Sequence, residues 1–289
     1  MIIDGKTIAD SILKEIKDAV GTLESRKPCL AVLLTGDNPA SQIYVSRKLE
    51  ACREAGILSL KFELPFSISE DELLKKVKEL NENPIVDGIL VQLPLPAHIN
   101  PLLINLKIAP EKDVDGFHPF NIGKLLLGHT DGFIPCTPLG IVTILERLNI
   151  PINGKNAVIL GRSNIVGKPL AALLMQNQPF GNATVTVAHS QTKDLKKVCL
   201  GADLIVAAIG KPRFVTGDMV KEGAILIDVG INRIDNPSKP KGYEIVGDAD
   251  FEALKNKCSF ITPVPNGVGP MTIAMLLSNT LKSYLKGVV

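Results

Sequence analysis

The stretch Asn156–Pro169, NAVILGRSNIVGKP, constrains the fold of this chain more than any other. Ala157–Leu160 is a short apolar run, Gly161 stops it, and a helical pattern opens near Gly167. Strand, tight glycine turn and helix start bring backbone N–H groups and the positive end of a helix dipole to one point, where a phosphate can sit. The chain beyond it keeps the same rhythm. Strands are expected at Ala157–Leu160, Thr184–Ala188, Leu204–Ile209, Ile225–Val229 and Phe260–Thr262. Helices are expected around Lys168–Gln176, Lys193–Cys199 and Gly217–Lys221. Pro270–Leu285 reads as a long helix with its proline in the first turn.

The first half carries a second set of βα units. Thr7, with Asp10 three residues on, is placed to cap a helix carrying Ile8, Ile12, Ile16, Ala19 and Leu23. Leu30–Leu34 is an apolar strand, followed by a helix from Pro39 to Ala55 that Gly56 ends. Leu58–Leu64 and Gly88–Leu93 are further strands, and Ser69 with Glu72 forms a capping box for the helix between them. From Leu95 to Pro138 six prolines, with Pro94 just before, interrupt the pattern, and an irregular stretch of functional or linking character is expected. Pro138–Asn149 then reads as a helix. The fold class is α/β. At 289 residues two domains are expected: 1–140 with 270–289 as a substrate domain, and 141–269 as a Rossmann-type nucleotide domain, with a cleft between them.

Composition narrows the function classes. The formal net charge is +2 and no basic block occurs, so no nucleic-acid partner is expected. The five cysteines are scattered without CxxC spacing, so buried thiols are expected rather than disulfides or a metal site. The N-terminus lacks a basic region followed by an apolar run, and no apolar segment approaches the ~18 residues of a membrane helix. A cytoplasmic protein with no membrane partner is the expectation.

Several side chains in this frame could carry chemistry. Against the dinucleotide fingerprint G-x-G-x-x-G, Gly161 holds the first position, Ser163 stands for the second glycine, and Gly167 falls one residue late. A purely structural turn is the competing reading. No acid follows the second strand, which ends in Val187-Ala188-His189-Ser190, while Arg162 lies in the loop. A guanidinium and a serine hydroxyl suit the 2′-phosphate of NADP, and a solvated loop arginine is the alternative. Tyr44 and Lys48 share a helix face at i, i+4, with Ser41 one turn back. Together they could position a flat substrate and, if burial or neighbours favour the neutral lysine, move a proton; a surface lysine beside a half-buried tyrosine is the alternative. Gln92 sits at the end of a parallel strand, where it can bond substrate or orient a lysine amine. Asp115 could accept paired N–H donors from a pterin or guanidine-like edge, or form an Asx turn before Gly116. The histidines at 98, 118, 129 and 189 show no ligand spacing.

The helix Ser41…Tyr44…Lys48, VQLPLP at 91–96, KDVDGF at 112–117, PCTP at 135–138, GRSNIVGKP at 161–169 and TPVPNGVGPMT at 262–272 occur together and in order. In these segments the chain resembles the bifunctional methylenetetrahydrofolate dehydrogenase/cyclohydrolase family. The resemblance implies oxidation of 5,10-methylenetetrahydrofolate by NADP, then hydrolysis of the methenyl product to 10-formyltetrahydrofolate. It implies Lys48 as the acid/base group in the hydrolysis, Gln92 as its support, Tyr44 stacked on the folate, and Asp115 on the pterin edge. The loop residues Gly161, Arg162, Ser163, Val166 and Gly167, with Ser190, would hold NADP, and Ile231 would lie on the nicotinamide side. Pro265, Gly267, Val268 and Pro270 would close on the folate. A homodimer is also implied.

Two departures from the family pattern stand out. The usual PGGVGP has Asn266 at its second position, a residue that tolerates positive φ. Ala249 replaces a larger apolar residue in Gly247-Asp248-Ala249-Asp250-Phe251. A short-chain NADP-dependent reductase shares the Tyr-x-x-x-Lys pair, but there the nucleotide loop comes first. A non-enzymatic NADP-sensing module would not need Lys48, Gln92 and Asp115 together.

Overall fold

The structure, a computed structural model, describes residues 1–240 and 242–287. Residue 241 of the expected nucleotide domain, and 288–289 at the end of the expected substrate domain, lie outside that range. The chain divides into two compact units. One holds Asp10–Cys136 and the chain from Ile273 on; the other holds Met1–Ala9 and Thr137–Thr272. The first nine residues, grouped by the sequence with the substrate half, thus fall in the nucleotide-side unit. There Ile3 N donates to Ile261 O at 2.8 Å and Ile2 bridges Ile261 in parallel.

In the first half the elements are α1 (Gly5–Gly21), β1 (Cys29–Thr35), α2 (Pro39–Ala55), β2 (Leu58–Leu64), α3 (Glu70–Glu82) and β3 (Gly88–Val91). Asp4, not Thr7, caps α1: its carboxylate accepts from Thr7 N at 3.1 Å and Thr7 Oγ1 at 2.7 Å. Asn38 caps α2 by accepting from Ala40 N and Ser41 N, and Gly56 ends it at φ 74. The capping box of α3 is formed as expected. The strands lie in the order β2-β1-β3, all parallel. Ala31, Leu33, Ile89 and Val91 pack one sheet face on Leu73, Val77 and Leu80 of α3.

The proline-rich stretch is more ordered than expected. It contains α4 (Pro101–Lys107) and α5 (Pro119–Leu126), and α6 (Cys136–Arg147) begins two residues earlier than predicted. Pro101 and Pro119 start helices rather than break them. Asn100 accepts from Leu102 N and the His118 ring from Phe120 N, the side-chain caps that a proline at the first turn leaves room for.

The second half continues with β4 (Asn156–Leu160), α7 (Gly167–Leu174), β5 (Thr184–Ala188), α8 (Leu195–Leu200), β6 (Leu204–Ala207) and β7 (Ile225–Asp228). It ends with β8 (Asn232–Asp235), β9 (Tyr243–Val246), α9 (Phe251–Leu254), β10 (Phe260–Ile261) and α10 (Val268–Gly287). The parallel sheet runs β10-β7-β6-β4-β5. Successive strands β5 and β6 flank β4 on opposite sides, so the chain switches direction there, and the carboxyl end of β4 opens where such sheets bind ligands. Gly217–Lys221 is a turn, not the expected helix: Met219 N donates back to Thr216 O at 3.0 Å, closing a single turn. The β8–β9 hairpin, antiparallel and separate from the large sheet, has no counterpart among the strands expected from the sequence.

Candidate active site

α2 and the end of β3 bring Lys48 and Gln92 together. The backbone N of Gln92 donates to Leu33 O at 2.9 Å, so the residue continues the ladder one step past β3. Its side-chain Nε2 donates to Leu93 O at 2.7 Å, which turns Oε1 toward Lys48 Nζ, 3.0 Å away. Lys48 is half-buried and keeps ammonium protons for a second partner. Tyr44, one turn back on the same face, is also half-buried, and burial pushes its phenol up. Ser41 is buried.

The KDVDG turn supplies the acid. Asp113 is buried and accepts from Phe117 N at 3.1 Å, His118 N at 2.8 Å and Asn121 Nδ2 at 2.8 Å. Asp113 therefore makes the Asx-type turn that the sequence offered as an alternative role for Asp115. Gly116 lies at φ 77, and a Cβ there would meet Ile134 C and Pro135 N at 2.6 Å. The turn is thereby packed against the segment leading to Cys136. Asp115 keeps some exposure, yet burial pushes its carboxyl up, opposed by the Lys48 charge and a hydrogen bond with Cys136. Burial and the Asp115 charge push the Cys136 thiol well up, so it stays protonated and serves as a donor. Lys48, Gln92 and Asp115 are thus one electrostatic group, with Tyr44 beside it on α2.

On the nucleotide side, Gly161 sits at φ 114, and a Cβ there would lie 2.2 Å from Ala208 O. A Cβ on Gly167 would lie 2.1 Å from Gly161 O, so only glycine permits the turn at either position. Ser163 Oγ accepts from Val166 N at 3.1 Å and Gly167 N at 3.3 Å, so this hydroxyl caps α7. Arg162 and Ser190 are both exposed at the carboxyl ends of β4 and β5, and Val166 is buried. Ile231 is 48% exposed and its Cδ1 is 4.0 Å from where a Gly269 Cβ would be, which brings the expected nicotinamide wall to the Pro265–Pro270 turn. In that turn Gly267 and Val268 are buried and Pro265 is exposed. Asn266 adopts φ 77, as its tolerance of positive φ allows.

Other polar residues around these groups carry no sequence signal of their own. Asn279 of α10 is buried, and its Nδ2 donates to Val114 O at 2.8 Å and Ile134 O at 3.0 Å, flanking both Asp115 and Cys136. Asp228 and Asp248 are buried at the ends of β7 and β9. Burial pushes the Asp228 carboxyl up to about 6, against three backbone N–H donors. Only the PCTP and GDAD segments hint at Cys136 and Asp248, and nothing local marks Asn279.

Comparison with known proteins shows the family. The sequence model of the tetrahydrofolate dehydrogenase/cyclohydrolase catalytic domain matches residues 3–115, and that of the NAD(P)-binding domain matches 135–287. A protein of Protochlamydia amoebophila described as bifunctional protein FolD is 64% identical over 286 residues, covering 99% of this chain and 98% of its own. A crystal structure of the bifunctional FolD dehydrogenase/cyclohydrolase of Campylobacter jejuni superposes with a TM-score of 0.93 at 51% identity, covering 99% of both chains. The Trypanosoma brucei dehydrogenase-cyclohydrolase, solved with NADP cofactor and inhibitor, superposes with a TM-score of 0.94 at 39% identity, over 100% of this chain and 98% of that one.

Asp113 generates a pH prediction. Burial, against hydrogen bonds from Asn121, His118 and Phe117, raises its carboxyl from 3.8 to about 6 in the folded state. Between about pH 4 and 6 the folded chain therefore holds a proton that the unfolded chain has lost, and stability falls as pH rises through that window. The stability of the wild type relative to Asp113→Asn, from urea unfolding midpoints, should be greatest near the bottom of the window and shrink toward the top. A difference that grows with pH would contradict this assignment.

Proposed function

Because this chain belongs to the tetrahydrofolate dehydrogenase/cyclohydrolase family, we propose how its residues divide two consecutive reactions. The protein oxidises 5,10-methylenetetrahydrofolate to the 5,10-methenyl form with NADP, then hydrolyses that product to 10-formyltetrahydrofolate. It is thus an oxidoreductase and a hydrolase of one-carbon metabolism, and its small-molecule partners are tetrahydrofolate derivatives.

The 3.0 Å contact between Lys48 Nζ and Gln92 Oε1 is the observation that most supports the residue assignment. Gln92, fixed by its bond to Leu93 O, aims one lysine proton and leaves the others for substrate or water. In the hydrolysis Lys48 acts as the neutral amine: it takes a proton as water adds to the methenyl carbon and returns it to the ring nitrogen as the C–N bond breaks, while the hydroxyl proton of the adduct passes to solvent. Tyr44 positions the folate by stacking, and Asp115 accepts from the pterin edge. Pro265, Gly267, Val268 and Pro270 complete the folate contacts. Hydride loss from the methylene carbon leaves a cation and needs no proton acceptor, so Lys48 matters most in the second reaction.

The glycine turn after β4 fits a dinucleotide, since Gly161 and Gly167 leave no Cβ in its path. Gly161, Arg162, Ser163, Val166, Gly167 and Ser190 would hold NADP, with Arg162 on the 2′-phosphate and Ile231 beside the nicotinamide. Bound NADP supplies the hydride acceptor. The segment 1–140 with 270–289 is assigned to folate binding and 141–269 to NADP. Among the described residues no helix is long and apolar enough to cross a membrane, and a cytoplasmic location follows as part of the reading. A homodimer belongs to it as well. The β8–β9 hairpin supports one, because a two-stranded ribbon is marginal alone and leaves both edges open to a second copy.

Lys48→Met should lower cyclohydrolase turnover on supplied methenyltetrahydrofolate by about a hundredfold or more, with NADP reduction far less affected. Equal loss of both, with folate binding intact, would refute the division of labour. Arg162→Ala should raise the KM for NADP about tenfold and leave that for NAD nearly unchanged. Equal effects on both cofactors would remove Arg162 from the 2′-phosphate. Light scattering of the intact protein should give twice the 31.0 kDa chain mass, and a monomer mass would end the dimer proposal.

A further inference from the structure

Two loops leave the sheet at the same end as the Gly161 turn. One, Ala208–Lys211, follows β6, and its Ala208 O closes against Gly161. The other, Val229–Asn232, follows β7 and carries Ile231. Each leaves a strand at its carboxyl end, so the sheet ladder no longer satisfies its backbone. One side chain holds both. Asp248, with no exposed surface, accepts from Ile209 N at 2.6 Å and Gly210 N at 2.9 Å through Oδ2. Through Oδ1 it accepts from Lys211 N and Asn232 Nδ2, both at 2.9 Å. Gly230 packs on the same carboxylate so closely that a Cβ would lie 2.3 Å from Oδ1.

Asp248 is itself anchored. Its backbone N donates to Asp228 Oδ1, and Ala249 N to Asp228 Oδ2, each at 2.9 Å. Asp228 Oδ1 also accepts from Gly230 N at 2.9 Å, and Asp228 N donates to Thr262 Oγ1 at 2.7 Å. Two buried carboxylates in series therefore tie the end of β7 to the loop after β9, and that loop to the end of β6. A buried carboxylate with four donors is a stiff hub, since releasing any donor leaves it unpaired away from water.

We infer that Asp248 is a positioning residue for the nucleotide, fixing the loops after β6 and β7 in register with the Gly161 turn. The inference rests on the NADP reading of that turn. It assigns Asp248 no contact with cofactor or substrate; its effect passes through the backbone at 209–211 and through Asn232.

The two activities provide the test, because hydrolysis of supplied methenyltetrahydrofolate needs no nucleotide. Asp248→Asn puts an amide nitrogen where backbone donors converge. It should raise the KM for NADP about tenfold or more, leaving the KM for methylenetetrahydrofolate and the cyclohydrolase rate within about threefold of wild type. Asn232→Ala releases only the loop after β7 and should shift the same KM in the same direction by a smaller factor. Should Asp248→Asn fail to fold, Asn232→Ala decides alone. An unchanged KM for NADP in the folded variants overturns the inference, as does equal loss of both activities. A wild-type protein that reduces no NADP while retaining cyclohydrolase activity would instead defeat the underlying cofactor reading.

Discussion

In a parallel sheet every strand delivers its carboxyl end to the same edge, and the chain must then leave that edge to cross back. The three-stranded and five-stranded sheets are parallel throughout, so the residues with functional assignments collect just past strand ends. Gln92 follows β3, Gly161 follows β4, Ser190 lies two residues past β5, and Ile231 lies three past β7. The strands themselves are almost wholly apolar and buried in β1, β3, β6 and β7, and contribute position rather than chemistry. Lys48 is the exception that completes the group, because α2 returns from β1 with its polar face over the end of β3.

Chain that leaves a sheet edge also leaves its hydrogen-bond partners, and buried backbone N–H groups need new ones. Here carboxylates supply many of them. Asp113 takes two amides and one side-chain amide, Asp228 three amides, and Asp248 three amides and Asn232. For Asp113 and Asp228, burial outweighs those donors and moves the carboxyl up to about 6. Asp115 differs from its neighbour two residues back. Its partners are the Lys48 charge and the Cys136 thiol, not the backbone of its own turn. Four residues of KDVDG thus have separate roles. Lys112 Nζ donates to the carbonyls of Leu80, Asn81 and Asn83 at the end of α3, Asp113 holds the turn, Gly116 lets it pack, and Asp115 faces the lysine.

That separation explains what can be read from the sequence. Periodicity and caps place α2, α3 and every strand of the two parallel sheets to within a few residues, since those signals lie within one turn of the residues they affect. The same local chemistry is masked where prolines are dense. Pro39 behind Asn38 reads as a helix start, while Pro101 behind Asn100 and Pro119 behind His118 merge into an irregular stretch, though all three pairs act alike. The hairpin gives little signal because its strands are four residues each and carry charges at Arg233, Asp235 and Glu244. Lys48, Gln92 and Asp115 can be named from the sequence, yet which acid of KDVDG holds the turn depends on packing that spacing does not encode. Asn279 meets Val114 across 165 positions and Asp248 meets Ile209 across 39, separations at which a single sequence has no pattern to offer.

The C-terminal helix shows why such distant polar contacts matter to the site. The buried face of α10 is largely apolar, with Ala274, Met275, Leu276, Leu277 and Tyr284. Apolar contact is roughly proportional to area and has no direction, so a helix held by it alone could shift by a turn at modest cost. Asn279 and Ser283 remove that freedom. They lie one turn apart on the helix, both buried; Asn279 donates to the carbonyls of Val114 and Ile134, and the single Ser283 hydroxyl proton is shared between the carbonyls of Asp87 at 2.6 Å and Glu111 at 2.7 Å. A shift of one turn would leave the Asn279 amide and the Ser283 hydroxyl buried without these acceptors, at about 1–3 kcal/mol each. The carbonyls they choose bracket the KDVDG turn on both sides. The register of the last helix therefore bears on the height of Asp115 against Lys48, and the geometry of that pair depends on residues other than the pair itself.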